Sequence, residues 1–363
     1  MSESANKLAS LLLEKNSTSV FSTVYDGAGW MGSENGGGFH TQKSITLYPS
    51  LHNQTKNSQP DWSDFSEERP IHFSNTVEIA PEPESIGEKL PARIWSEDKK
   101  NWLTLCAEIS RGIQKGDYKK IVPCRWKLAK ISESEYPKLI KNISHLITQK
   151  EKSNFYKFLI RSNDSIFLGI SPELLFSRNN GFINIPAIAG TILAESDNAD
   201  ILQKSEKNII EHELVVKDLI SSLKEIGLHP EINSARSLLK AGNLWHLHTS
   251  LKMRDPGFHI LSSKDLIKKI HPTAAIGGSP QKAAMNFLQR NEGWDRGLFA
   301  SPLLIREGEK EVCIICIRSA LWKRENLWQF AGAGYVAESD PELEWNECSN
   351  KMNFLSDRIF GAF

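Results

Sequence analysis

Apolar residues recur along this chain with two distinct periods. From Asn101 onward, Trp102, Leu105, Cys106, Ile109 and Ile113 return every three or four positions, the spacing that lays one stripe along a helix, and Gly116 stands where such a helix ends. The run 120–129 alternates instead, with Lys120, Val122 and Cys124 on one face of a strand and Ile121, Pro123 and Arg125 on the other. Strand-like runs follow at 155–161, 165–170 and 182–185 with no helical period between them. Such neighbours pair antiparallel, because a parallel crossover needs an intervening helix. A long amphipathic helix is predicted over 200–226, with Ile209, Val216, Leu219, Ile220 and Leu223 on one stripe. A second helix near 283–289 precedes strands around Leu303, 312–320 and 327–330, and a final helix closes the chain. The class is α+β.

Residues 1–99 read differently. They are rich in Ser, Asn, Gly and Pro, with GAGWMGSENGGGF near position 30 and APEPESIGEKLP near 85, and strand-like runs at 20–25 and 45–48 lie between these loops. Hydrophobic residues make up 40% of the 363 positions and charged residues 24%, which disfavours wholesale disorder, collagen and coiled coil. Lys+Arg and Asp+Glu both total 44, so no global field draws the chain to nucleic acid or anionic lipid. The longest apolar runs, such as 312–317, fall far short of the roughly 20 residues that cross a bilayer. The start, MSESANKLASLLLEKN, lacks the basic and apolar regions of a secretory signal, so the expected compartment is the cytoplasm. The five scattered cysteines suit a reducing compartment. Cys313 and Cys316 form a C-x-x-C within a strand-like run, where residues three apart face opposite ways, and read as buried thiols and not as a metal pair.

Several constellations could carry chemistry. The last helix begins at SDPELEW, with Ser339 or Asp340 as cap and Pro341 where a missing N–H costs nothing. On it Glu344, Glu347 and Lys351 fall at i, i+3 and i+7, within about 60° of one another. A solvated face with Glu-to-Lys pairing satisfies that pattern; so does a Mg²⁺ site, since carboxylate oxygens suit a hard cation. Just before it, Ala331-Gly332-Ala333-Gly334 lets a ligand approach the backbone closely. The same segment partly matches a dinucleotide fingerprint, which makes an NAD-linked oxidoreductase the remote alternative. On the long helix His212 joins the apolar stripe as a packed histidine, whereas periodicity puts Glu211 on the surface unless a second element covers it. Lys120 reads as a snorkelling side chain or, if buried, as a general base. Glu173, between IFLGI and Leu174-Leu175, would have its pKa raised by desolvation and suit general-acid work.

Taken together, KIVPCR (120–125), SPELLF (171–176), IAGT (188–191), EHELV (211–215), HPTAAIGG (271–278), RGLFASP (296–302), CIRSA (316–320) and AGAGYVAESDPELEWNECSNK (331–351) resemble the chorismate-utilising enzymes. That family includes isochorismate synthase, salicylate synthase, anthranilate synthase component I and aminodeoxychorismate synthase component I. The resemblance covers roughly residues 100–355. It implies a chorismate-binding, aminodeoxychorismate synthase-like fold: two large, mainly antiparallel sheets packed together, helices outside, the active site between them, and residues 1–99 completing the sheets of one structural domain. It further implies that Glu211 and Glu347 bind Mg²⁺ with Glu344 close by, and that Arg318, Lys351 and the backbone of Gly332 and Gly334 hold the carboxylates of chorismate. Gly190, Thr191, Ala275, Ile276 and Phe299 fall in its substrate-site motifs, and His246 matches a histidine near the substrate.

Four positions separate the subfamilies. Amine-adding members resemble one another in carrying Gln where this chain has Lys120, and water-adding members carry Lys as the base. Aminodeoxychorismate enzymes put a nucleophilic lysine at the position of Ala189. Relatives that eliminate pyruvate tend to have Thr and Tyr at the positions of Ala275 and Phe299. The resemblance therefore implies isochorismate synthase, a hydroxymutase acting as a monomer on chorismate, ahead of salicylate synthase: Lys120 activates water for attack at C2 and Glu173 protonates the departing C4 hydroxyl. Isochorismate is common to menaquinone, siderophore and salicylate metabolism. Two departures stand out: many relatives carry an acid where this chain has Asn208, and an aliphatic residue where it has Tyr335.

Overall fold

The computed structural model describes residues 19–24, 44–47, 71–73, 89–91, 93–148, 155–162, 164–194, 199–241, 244–257 and 259–361. The glycine-rich stretch near position 30 and most of the Pro/Glu stretch near 85 lie outside them.

The six-stranded sheet runs, in spatial order, β1 (Ser19–Val24), β6 (Tyr156–Ser162), β7 (Ser165–Ser171), β15 (Ser319–Lys323), β16 (Asn326–Gly332) and β5 (Cys124–Lys130). The eight-stranded sheet runs β10 (Glu231–Ala241), β11 (Leu244–Arg254), β9 (Phe182–Leu193), β8 (Leu174–Asn179), β14 (Lys310–Ile315), β13 (Pro302–Glu307), β2 (Ser44–Leu47) and β3 (Ile71–Phe73). A short pair joins β12 (Gly278–Ser279) to β4 (Lys120–Ile121). Every pairing among the described strands is antiparallel, as the run of strands without intervening helices predicts. Upstream of residue 100, β1 lies at one edge of the smaller sheet, and β2 and β3 at one edge of the larger.

One apolar cluster joins the two sheets, with Phe158, Phe167 and Phe330 from the first meeting Phe176, Ile183 and Ile314 from the second. A second packs helices α2 (Tyr136–Thr148) and α7 (Pro341–Phe360) on the six-stranded sheet through Leu139, Ile143, Leu168 and Ile359. A third gathers α1 (Lys99–Lys115), α6 (Gln281–Asn291) and α7 around Trp102, Ile109, Leu288 and Met352. Between its two apolar faces α7 turns Glu344, Glu347 and Lys351 inward.

Local chemistry sets the boundaries. Gly116 caps α1 at φ 81°, and the Asp340 carboxylate accepts from the N–H groups of Glu342 and Leu343 at 2.9 Å to start α7. The predicted strand 120–129 breaks at Val122-Pro123, because proline has no N–H for the ladder and β4 turns away to pair with β12. The predicted strand 312–320 breaks at 316–318, where the chain leaves the larger sheet for the smaller and Arg318 takes φ 48°. The predicted helix 200–226 is two helices, α3 (Ala199–Lys204) and α4 (Glu206–Lys224), separated by the capping Ser205. Helix α2, helix α5 (Ser263–Ile270) and the β10–β11 hairpin have no counterpart in the periodicity reading. All five cysteines are free and buried, Cys313 and Cys316 among them. No helix among the described residues is long and apolar enough to cross a membrane.

Candidate active site

A cavity opens where the two sheets, α4 and α7 meet. Of the residues singled out from sequence, Glu173, Gly190, Thr191, Glu211, His246, Ala275, Ile276, Phe299, Arg318, Gly332, Gly334, Glu347 and Lys351 line it. Lys120 and Glu344 do not; they stand immediately behind that surface.

Lys120 is 0% exposed, and its ammonium lies 2.9 Å from Glu211 Oε1. It is not a snorkelling side chain. The Glu211 carboxylate is itself buried, because α4 is rotated from the stripe that periodicity predicts: its buried face is Asn208, Glu211, His212, Val215, Leu219 and Leu223, while Ile209, Val216 and Ile220 are half-buried. His212 is packed, as expected, with Nε2 2.8 Å from Thr249 Oγ1, and burial pushes its pKa down to about 4. The covering element is the loop after β16. A Cβ on Gly334 would lie 2.1 Å from Glu211 Oε1 and 2.9 Å from Lys120 Cε, so only glycine lets the carboxylate and the loop share this space. Gly334→Ala is expected to cost about 1–3 kcal/mol in stability through overpacking and to lose most activity by displacing Glu211, read by thermal denaturation beside a turnover assay.

Three carboxylates gather here, each held by a lysine. Glu211 takes Lys120, Glu344 takes Lys207 at 2.5 Å, and Glu347 takes Lys351 at 2.8 Å. Burial raises the Glu211 carboxyl, but the ammoniums of Lys120 and Lys207 outweigh it and hold it below the usual range. Glu344 goes the other way: burial, then the neighbouring Glu347 charge, raises it. Its Oε2 is buried without a hydrogen-bond partner. Lys351 also donates to the Gly332 carbonyl at 2.9 Å, and Glu347 and the other nearby anions hold its ammonium above its usual range against the effect of burial. Among the described residues no three acidic, imidazole or thiol groups already form a metal cage; here each acid points at its lysine. The donor chemistry nevertheless fits a hard cation, with three carboxylates in mutual electrostatic reach and one buried oxygen unpartnered.

Glu173 projects from the connection between β7 and β8. Burial pushes its carboxyl up to about 7, while Lys351, Lys120 and Arg318 pull it down. Arg318, in the left-handed region, is 3% exposed, and burial, aided by Arg358, lowers its guanidinium to about 9. It donates to His246 Nε2 at 3.1 Å, so that nitrogen carries the lone pair and Nδ1–H donates to Thr191 Oγ1 at 2.9 Å. Burial and the facing Arg318 keep His246 neutral, well below its usual pKa. Thr191 is thereby left with a hydroxyl proton to offer the cavity. Asn208 accepts from Thr191 N at 3.2 Å and donates to Ser205 Oγ at 2.8 Å; it buttresses the cavity wall.

The chorismate binding enzyme family matches residues 41–359. The chain belongs to the chorismate-binding enzymes. It is 30% identical to the salicylate biosynthesis isochorismate synthase of Pseudomonas aeruginosa over 73% of this chain and 56% of that protein. It is 31% identical to isochorismate synthase MenF of Bacillus subtilis over 73% of this chain and 56% of that one. The matched part thus spans little more than half the length of these relatives. The fold matches Bacillus anthracis DhbC with a TM-score of 0.70 at 22% identity, covering 98% and 99% of the two chains. It matches MenF, the menaquinone-specific isochorismate synthase of Escherichia coli, with a TM-score of 0.68 at 18% identity over the same shares.

In this chorismate-binding enzyme the glycine motif is not a dinucleotide cradle. Gly332 ends an antiparallel strand, Ala333 N–H donates to Pro123 O at 3.2 Å, and Tyr335 N–H donates to Ile121 O at 2.7 Å. The motif instead fastens the loop to the strand bearing Lys120, and the Gly332 carbonyl accepts from Lys351 at 2.9 Å. The Tyr335 hydroxyl lies 3.0 Å from Ser110 Oγ on α1, away from the cavity. Sequence reasoning missed Lys207, although its place four residues before Glu211 put the two on one helix face. It also missed a buried clamp: Arg296 makes two 2.7 Å bonds to Glu292 and donates to Val122 O and Ile276 O, while Glu292 Oε1 accepts from Cys124 N at 2.8 Å. The clamp holds two walls of the cavity in register. No local period signals it.

Proposed function

We propose that this enzyme converts chorismate to isochorismate. The observation that carries the reading is Glu173: a carboxyl whose burial raises it to about 7, on the wall of the cavity that Glu211 also lines, with Lys120 directly behind Glu211 at 2.9 Å. A protonated acid and an amine at one cavity are what exchange of a hydroxyl across an allylic system requires. Water attacks C2 and gives a proton to Lys120, which takes part in this step as the neutral amine, after losing the proton that pairs it with Glu211. Glu173 gives its proton to the C4 hydroxyl, which departs as water, and the ring double bond shifts between the two carbons. Arg318, with its guanidinium fork, and Lys351 are the cationic groups placed to hold the two carboxylates of the substrate. The stacked rings of Phe299 and Phe330, 5.4 Å apart, give the ring an apolar surface. The relatives named as isochorismate synthases support the same assignment.

Glu211, Glu344 and Glu347 would hold a Mg²⁺ ion, which when bound supplies charge to neutralise and orient a substrate carboxylate. Glu347→Gln is expected to weaken Mg²⁺ binding at least about tenfold, measured by calorimetric titration; unchanged binding removes Glu347 from the metal shell.

Ala275 and Phe299 both line the cavity and offer no hydroxyl, which favours release of isochorismate over elimination of pyruvate. The test is chromatography of products from chorismate and Mg²⁺ with the purified protein. Isochorismate alone supports the reading. Salicylate with pyruvate replaces it with salicylate synthase.

A further inference from the structure

The acid cluster is electrically balanced without a metal: Glu211, Glu344 and Glu347 face Lys120, Lys207 and Lys351, one lysine to each acid. A divalent cation entering that neutral group needs either added anions or the departure of an ammonium. The three lysines are not equally free to leave. Lys120 is 0% exposed. Lys351 is anchored by the Gly332 carbonyl as well as by Glu347. Lys207 is 25% exposed, and its bond is to Glu344, a carboxylate only 1% exposed with its second oxygen unpartnered.

We propose that Lys207 is a tethered competitor of the divalent cation: its ammonium neutralises Glu344 while metal is absent and swings toward solvent when metal takes that carboxylate. The idea rests on the Mg²⁺ reading given above. It gives the side chain two positions, one on the acid and one in water, and makes metal affinity depend on the free energy between them. A competing charge costs the metal affinity, but it spares the apo protein a buried, unpaired carboxylate.

The experiment is Mg²⁺ titration by calorimetry, without substrate, on the wild type, Lys207→Met and Lys207→Arg, with thermal midpoints measured in the presence and absence of Mg²⁺. Lys207→Met should bind Mg²⁺ roughly tenfold more tightly, about 1.4 kcal/mol. Its metal-free midpoint should fall below that of the wild type, and the rise on adding Mg²⁺ should be larger. Lys207→Arg keeps the charge and should stay near the wild-type affinity. If Lys207→Met does not fold, Lys207→Gln takes its place in the same measurements. Unchanged or weaker binding in the neutral variant, with normal binding in the wild type, overturns the competitor role and leaves the metal reading intact. A wild type that shows neither heat nor a midpoint shift with Mg²⁺ removes both.

Discussion

Lys120→Ala is expected to lower turnover of chorismate by about 10²- to 10⁴-fold, the range that general-base catalysis spans, with little change in substrate affinity. The amine is the proposed proton acceptor, and it is held 2.9 Å from Glu211 behind the cavity wall. The same substitution leaves a buried carboxylate unpaired, which costs up to about 3–5 kcal/mol of stability. Lys120→Gln separates the two effects. Its amide can still donate to Glu211 but cannot accept a proton, so it should be as slow as the alanine variant while unfolding at a higher temperature. Turnover within a few-fold of wild type in either variant would show that another group activates the water.

Glu173→Gln should slow the reaction by a comparable factor, about 10²- to 10⁴-fold, and should also change its pH dependence. The raised carboxyl, near 7, is protonated below that pH and ionised above it. An acid that must deliver a proton is therefore competent on the low side, and kcat/KM should fall about tenfold per pH unit above the transition. The Gln variant has no proton to lose there, and its residual rate should be flat across the same interval. A falling limb that survives in Glu173→Gln would move the titration to a different group.

Several parts of this site are legible in the sequence because each depends on one element alone. The positions of Glu344, Glu347 and Lys351 on one face of α7 follow from helical spacing, and the structure pairs Glu347 with Lys351 at 2.8 Å. The raised pKa of Glu173 follows from its apolar flanks. Other parts are not legible. Periodicity puts Glu211 at the surface of α4, and it is buried by a loop more than a hundred residues away in sequence, at a glycine whose missing Cβ makes the room. Lys207 and Asn208 look like ordinary polar residues at a helix start; one reaches Glu344 and the other the backbone of Thr191.

The sequence by itself determined the class of the fold, the caps and faces of α1 and α7, the antiparallel pairing and the motifs of the family, since each is written in short-range periods, cap residues or a run of local identities. The tertiary structure alone decided which lysine meets which acid, that Lys120 and Glu344 stand behind the cavity wall, and that Arg296 and Glu292 hold two of its walls together. The reason is physical. A period in the chain fixes the side of its own helix or strand on which a residue lies, but burial and charge pairing depend on what packs over that side, and this is set only when distant segments meet.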